Sequence, residues 1–378
     1  MKCIHQLLFL VFLSIISCTA EKESEIYEFT IDVNQSPGVA KLSQICDELE
    51  YIRIDSDSVL IGSVREINYT DGVYALSDGS KLYLINELGD LYSVLDNKGD
   101  GPGEYSRLFS WDTNLDNEEI VVCDDIKDKI LYYDTNGTYT NQILITSTYS
   151  ILRFYNDSLL FLYDAPWSGT NELSIRIINT VGDTVWSYKN KFKFEAEAWV
   201  MYGKECVIYQ KESNIFFKEM MDDTLYCLDK DYHIEPYAIF NTNDLGFTAN
   251  KRGDYTHNNQ LDAILVLELY ETVNHFILLY VYKGIKFWIA DKNSMHSITL
   301  EKDGFVNDVD GGMPFNPAYQ IEDKYLLQVV DAYKFNAWLE SDDFKNFDSD
   351  LEAKEKFRKL AESLGENDNP VIIKCKLK

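Results

Sequence analysis

Apolar residues fall along this chain in short runs bounded by Asp, Asn and Gly, and the runs come in pairs. Val73-Tyr74-Ala75-Leu76-Ser77-Asp78 is followed by Leu82-Tyr83-Leu84-Ile85-Asn86-Glu87-Leu88-Gly89. Ile120-Val121-Val122-Cys123-Asp124 leads in the same way to Ile130-Leu131-Tyr132-Tyr133-Asp134-Thr135-Asn136-Gly137. Leu159-Leu160-Phe161-Leu162-Tyr163-Asp164 leads to Ile175-Arg176-Ile177-Ile178-Asn179-Thr180-Val181-Gly182. Runs this short, rich in branched and aromatic residues and closed by turn formers, predict strands. Gly89, Gly137 and Gly182 stand 48 and 45 residues apart. Each suits a hairpin turn, because glycine accepts positive φ without a Cβ clash.

The pattern continues in weaker form. A fourth copy runs over 224–234, with Asp231-Tyr232 in place of the glycine turn. A fifth runs through 275–295 and a sixth lies near 319–335. Repeats of about 40–50 residues, each a small antiparallel sheet, are the mark of a β-propeller, whose blades bury their faces only against one another. The expected fold is therefore all-β: a six-bladed propeller of four-stranded antiparallel blades with one short C-terminal helix. Ser349 and Glu352 form a capping-box signature for that helix, Ala353, Phe357, Leu360, Ala361 and Leu364 give it one apolar face, and Gly365 stops it. Residues 369–375 read as a last strand that completes a blade with chain from the other end and closes the ring. The apolar stretch 261–282 is interrupted by Glu268 and Glu271, and reads as two buried strands, not a membrane span.

Composition sharpens this picture. Aromatics make up 14% of the 378 residues, led by 26 Tyr and 20 Phe, which favours sheet. The formal charge is −28, and the densest basic run, 189–193, is short. A field of that sign repels phosphate backbones, so nucleic acid is excluded as a partner. Beyond Cys3 and Cys18 the cysteines are Cys46, Cys123, Cys206, Cys227 and Cys375: odd in number, widely spaced and without a CxxC pair. They read as neither a disulfide framework nor a zinc site, although Cys206 and Cys227 could bridge in an oxidising space.

The chain opens on Lys2, an apolar run over 7–16 and Ile15-Ile16-Ser17-Cys18, a secretory signal. Its closing tetrapeptide resembles the lipobox of bacterial lipoproteins, in which the cysteine is acylated. The chain then divides into a signal peptide (1–17), a lipidated tether (18–25) and one propeller domain (26–378). Further segments resemble the six-bladed β-propeller lipoproteins of Bacteroides and related bacteria, with an NHL/TolB-like layout. Residues 98–105, Lys-Gly-Asp-Gly-Pro-Gly-Glu-Tyr, resemble that family's GxGPGEY/F loop, and Asp223-Thr224-Leu225-Tyr226 its D-T-L-Y strand. Asn307-Asp308-Val309-Asp310-Gly311-Gly312 resembles its NDxDGG loop, and Asn369-Pro370-Val371 its C-terminal end. The resemblance implies fold and an envelope location, and little mechanism.

Several residues are candidates for a site. Gly99, Gly101 and Gly103 could turn backbone N–H groups onto an anion, but Asp100 and Glu104 would repel one, and a rigid inter-blade connection ending at Tyr105 is the simpler reading. Asn307, Asp308 and Asp310 offer oxygens of the kind calcium takes, in a run too short for an EF-hand, so a structural turn is the alternative. Asp124, Asp125 and Asp128 invite the same thought, but the repeat places Asp78 at the matching point, where an Asp caps a hairpin. Trp167 lies in a loop, where it either packs on a neighbouring blade or serves as a binding platform. His233, His257, His275 and His296 form no HExxH or HxH motif, and there is no GxSxG elbow, so no catalytic residue, metal ligand or cofactor is assigned. The resulting expectation is a propeller lipid-anchored through Cys18 to the outer membrane, facing the periplasm or the cell surface. It would bind an envelope protein, peptide or glycan over its axial face. The alternative is a propeller hydrolase or lyase with an axial site.

Overall fold

The computed structural model describes residues 26–195, 200–254, 262–301 and 304–378. The signal peptide, Cys18 and the tether lie outside the described residues, as do His5 and His257. Six sheets form the ring. Blade one comprises β3 (Glu66–Thr70), β4 (Val73–Ser77), β5 (Leu82–Asn86) and β6 (Leu91–Leu95), and blade two β7 (Ser110–Asn114), β8 (Glu119–Asp124), β9 (Lys129–Asp134) and β10 (Tyr139–Leu144). Blade three holds β11 (Ile151–Asn156), β12 (Leu159–Tyr163), β13 (Leu173–Asn179) and β14 (Thr184–Lys189). Blade four holds β15 (Cys206–Lys211), β16 (Asn214–Glu219), β17 (Thr224–Leu228) and β18 (Ile234–Asn241). Blade five is β19 (Leu265–Glu271), β20 (His275–Val281), β21 (Ile285–Asp291) and β22 (Ser297–Thr299).

Blade six is shared between the two ends of the chain. It runs β23 (Tyr319–Ile321), β24 (Tyr325–Val330), β25 (Val371–Leu377), and then β2 (Cys46–Arg53), which pairs antiparallel with β25. The last strand thus closes the ring with N-terminal chain, as the sequence suggests. One strand precedes the ring. β1 (Tyr27–Thr30) lies parallel to β18 on the outer edge of blade four, making that sheet five-stranded. Residues 31–45 then cross blade five, bridging Gly38 to Leu300 and Lys41 to Val306. This strap covers edges that would otherwise present unpaired backbone.

The apolar runs of the repeat are the second and third strands of each blade. Leu82, Leu84, Ile85, Ile120, Val121, Val122, Ile130 and Leu131 are all fully buried. Both faces of such strands pack on neighbouring blades, so their side chains do not alternate. The turn glycines have a second role besides positive φ. A Cβ on Gly89 would lie 1.8 Å from the Arg53 carbonyl of blade six, and one on Gly182 would lie 2.7 Å from Ile143 of blade two. Each such turn therefore abuts the outermost strand of the preceding blade. In blade four Tyr232 takes the glycine's place at φ +66, and its ring stacks on Tyr155 and Trp186 of blade three.

The helical content is larger than one helix. A short α1 (Ala249–Gly253) precedes blade five, and α2 (Ala332–Leu339), α3 (Asp342–Asn346) and α4 (Leu351–Glu362) are inserted between β24 and β25. The cap of α4 is Asp350, which accepts from the Ala353 N–H at 2.9 Å, not Ser349; the helix ends at Glu362, ahead of Gly365. Its apolar face is the expected one, with Phe357, Ala361 and Leu364 buried against Tyr51, Phe335 and Phe344.

Candidate functional site

The first strand of each blade lines the axis, and polar side chains from these strands meet there. Tyr319 of blade six donates to Oδ1 of Asn68 in blade one, whose Nδ2 donates to Oδ1 of Asp112 in blade two. The other Asp112 oxygen accepts from the Phe154 N–H of blade three at 2.8 Å. Four blades are stitched by one chain of hydrogen bonds. Burial pushes the Asp112 carboxyl above its ordinary range, and the nearby Arg153 guanidinium opposes that rise. Arg153 itself donates to the Trp111 and Leu152 carbonyls.

Charged side chains stand above this plug. The upper face is the one on which the fourth strand of a blade passes to the first strand of the next. There Lys204 of the loop entering blade four reaches Glu66 of the opposite blade one at 3.0 Å. Glu268 of blade five is open to solvent although protein surrounds it, as befits a channel wall. Its pKa is raised by this crowding and by Glu66, and held back by Lys204 and Arg153. Sequence reasoning missed these residues. Glu66 and Glu268 stand in the inner strands of blades one and five and Lys204 in the loop entering blade four, so no local sequence pattern links them.

The candidates read from sequence lie elsewhere on the upper face. In the glycine loop the Gly101 N–H donates to the loop's own Glu104 carboxylate at 2.7 Å, and Lys127 donates to the Gly99 and Glu104 carbonyls. The nest is therefore filled from within. Gly103 presses against the Tyr139 ring, the buried Tyr105 hydroxyl bonds Ser80, and Asp100 points to solvent. The loop is a rigid junction of blades one and two.

The second loop fastens blade six. Asp310 is buried and accepts from the Asn307 amide at 2.8 Å, the Gly312 N–H at 2.9 Å and the Tyr51 hydroxyl at 2.6 Å. Asp308 accepts from both the N–H and the hydroxyl of Ser43. Their oxygens are thus engaged by donors of the protein, and among the described residues no group of three His, Cys, Asp or Glu is placed to hold a metal ion. A cavity of ≈ 140 Å³ lies between this loop and the helical insert, whose Trp338 also donates to the Gly311 carbonyl at 2.9 Å. The two loops lie at different junctions, this one between blades five and six and the glycine loop between blades one and two.

Trp167 takes the first of its two expected roles. It is only 9% exposed, packing edge-on against Phe109 in the core between blades three and four. It is a wall, not a platform. Asp78 and Asp124 cap local backbone, Asp78 accepting from the N–H groups of Ser80 and Lys81. His233, His275 and His296 lie at the turns of the opposite rim, away from the inner strands; His275 and His296 border a cavity of ≈ 190 Å³ there.

Fold and axis together define a six-bladed β-propeller with a polar, self-paired centre. The chain belongs to the family described as a domain of unknown function, DUF4934, whose model matches residues 28–376. A solved structure described as a "Putative exported protein" from Bacteroides fragilis superposes with a TM-score of 0.71 at 19% identity, over 94% of this chain and 100% of that one. A member of the DUF4221 family from Bacteroides vulgatus matches with a TM-score of 0.52 at 13% identity, over 88% and 97% of the two chains. At these identities the likeness shows the fold. No curated protein matches the chain.

Proposed function

We propose that this chain is an exported propeller, lipid-anchored through Cys18 to the outer membrane, that binds a protein, peptide or glycan partner at its upper axial mouth. The observation that supports the reading is the convergence of Glu66, Lys204 and Glu268 from blades one, four and five on solvent-accessible space. Charges that face one another across an open axis can exchange their mutual pairing for a ligand's polar groups at modest cost, because a half-exposed ion pair contributes only about 0–1 kcal/mol. The groups below them are committed to each other and form the floor. No nucleophile and base are brought together there among the described residues, so the reading stops at binding.

The test uses a Cys18→Ala chain as bait in envelope extract, beside the same bait carrying Glu268→Gln or Lys204→Met. A partner retained by the first bait and lost from both variants supports axial binding. A partner held equally by all three places the contact elsewhere. Labelled palmitate incorporated by the native chain and lost on Cys18→Ala checks the anchor separately.

A further inference from the structure

Two cysteines separated by almost the whole ring meet where it closes. Cys46 opens β2 and Cys375 lies in β25. The register pairs Cys46 with Leu377 and Leu49 with Cys375, with a bulge between Cys46 and Glu48. Residues two apart on a strand share a face, so Cys375 projects from the same face as Leu377 and hence as Cys46. Both side chains are buried in one core cluster, beneath the helical insert. The two thiols are close enough for Cys46 to raise the pKa of Cys375.

In a regular ladder such a diagonal pair is roughly 7–8 Å apart, beyond the ~4.4–6.8 Å between Cα atoms that a disulfide spans. The bulge bends the strand at this point and allows the closer approach. The strand register puts none of Cys123, Cys206 and Cys227 opposite another cysteine.

We propose that Cys46 and Cys375 form a disulfide when the chain folds in an oxidising compartment, so that the blade shared by the two ends is locked covalently. Each thiol gives up its proton, and the sulfurs join as two electrons reduce a small-molecule disulfide such as oxidised glutathione to two thiols. Only the bond's occurrence in the cell rests on the export reading; the chemistry does not. Timing follows from burial. In the closed blade Cys375 lies beside the Cys46 thiol and is desolvated, and both hold it in the protonated, unreactive form. The bond therefore forms before β2 docks for good, as a step of folding.

The test refolds the Cys18→Ala chain without residues 1–17, and hence without Cys3, in glutathione buffer and counts thiols after denaturation, with peptide mapping by mass spectrometry. The oxidised product is expected to show three titratable thiols of the five present and one linked peptide joining Cys46 to Cys375. Its folding equilibrium should favour the native state roughly a hundredfold more than that of the reduced chain. Cys46→Ser should fold, keep four free thiols and lose that gain. Five free thiols after refolding at every redox ratio would overturn the proposal, as would a linked peptide that joins any other pair. Alkylating thiols in intact cells separates the two readings: a bond that forms in the tube but is reduced in the cell leaves this pairing standing and removes the export.

Discussion

Glu219 ends the second strand of blade four with only 1% of its surface exposed, facing Ser174 and Tyr163 of blade three. Burial is the main cause that lifts its pKa to about 7. Lys191 and the hydroxyls of Ser174 and Tyr163 oppose the rise, while Asp222 adds to it. A carboxyl with a folded pKa above its unfolded value binds more protons in the native state than in the unfolded one. Its contribution to stability is therefore complete below the unfolded value, near 4.5, and is lost as pH climbs through 7. Over that interval the loss is roughly 3 kcal/mol. Glu219→Gln should remove it. Denaturant unfolding of the two chains at several pH values should show the variant gaining stability relative to the parent as pH rises from about 4.5 to 8. A constant difference across that range would mean that Glu219 is ionised at no cost.

The element on which the ring depends is β25, because its partners come from opposite ends of the chain: β24 on one side and β2 on the other. Val371, Ile372, Ile373 and Cys375 are buried along it. A chain ended at Asn369 leaves β2 without a partner and opens the core beneath the helical insert. It should lose cooperative unfolding by circular dichroism, whereas removal of residues up to 32, which takes only the outer β1, should preserve it. A cooperative transition in the shorter C-terminal truncation would show that the ring closes some other way. The sequence made the central strands legible because both of their faces are buried, which turns them into continuous apolar runs such as 82–85 and 120–123. Inner and outer strands were harder to read. β10 reads Tyr-Thr-Asn-Gln-Ile-Leu and is largely exposed, and β2 keeps Asp47, Glu48 and Glu50 toward solvent. The site was illegible for the same reason. Asn68, Asp112, Arg153 and Glu268 come from the inner strands of four different blades, and only the radial arrangement of blades brings them together. Trp167 is loop by sequence and core wall in the fold, because blade four packs on it.

At the scale of the molecule, 63 acidic residues against 35 basic ones leave a net charge of −28 on a closed, roughly disc-shaped ring of blades. Many carboxylates are spent locally; Asp134 and Asp229, for example, each cap two N–H groups of their hairpin turns. Such bonds are short-ranged and little affected by salt. The long-range remainder is repulsion, and compaction brings the unpaired acids closer than they stand in the unfolded chain. Ion pairs pull the other way, but many are at the surface, among them Lys81 with Asp96 and Lys356 with Glu352, and pairs of that kind contribute little. The buried Arg252–Glu205 pair, at 2.9 Å, is shielded from ions by the Phe194, Tyr202 and Phe247 rings that surround the guanidinium. Screening should therefore relieve more repulsion than attraction. The thermal midpoint should rise by about 3–5 °C between ~20 and ~300 mM NaCl at neutral pH. The same rise in potassium chloride would tie the effect to ionic strength. A midpoint that falls with salt would mean that surface pairing, not repulsion, dominates the electrostatics of this propeller.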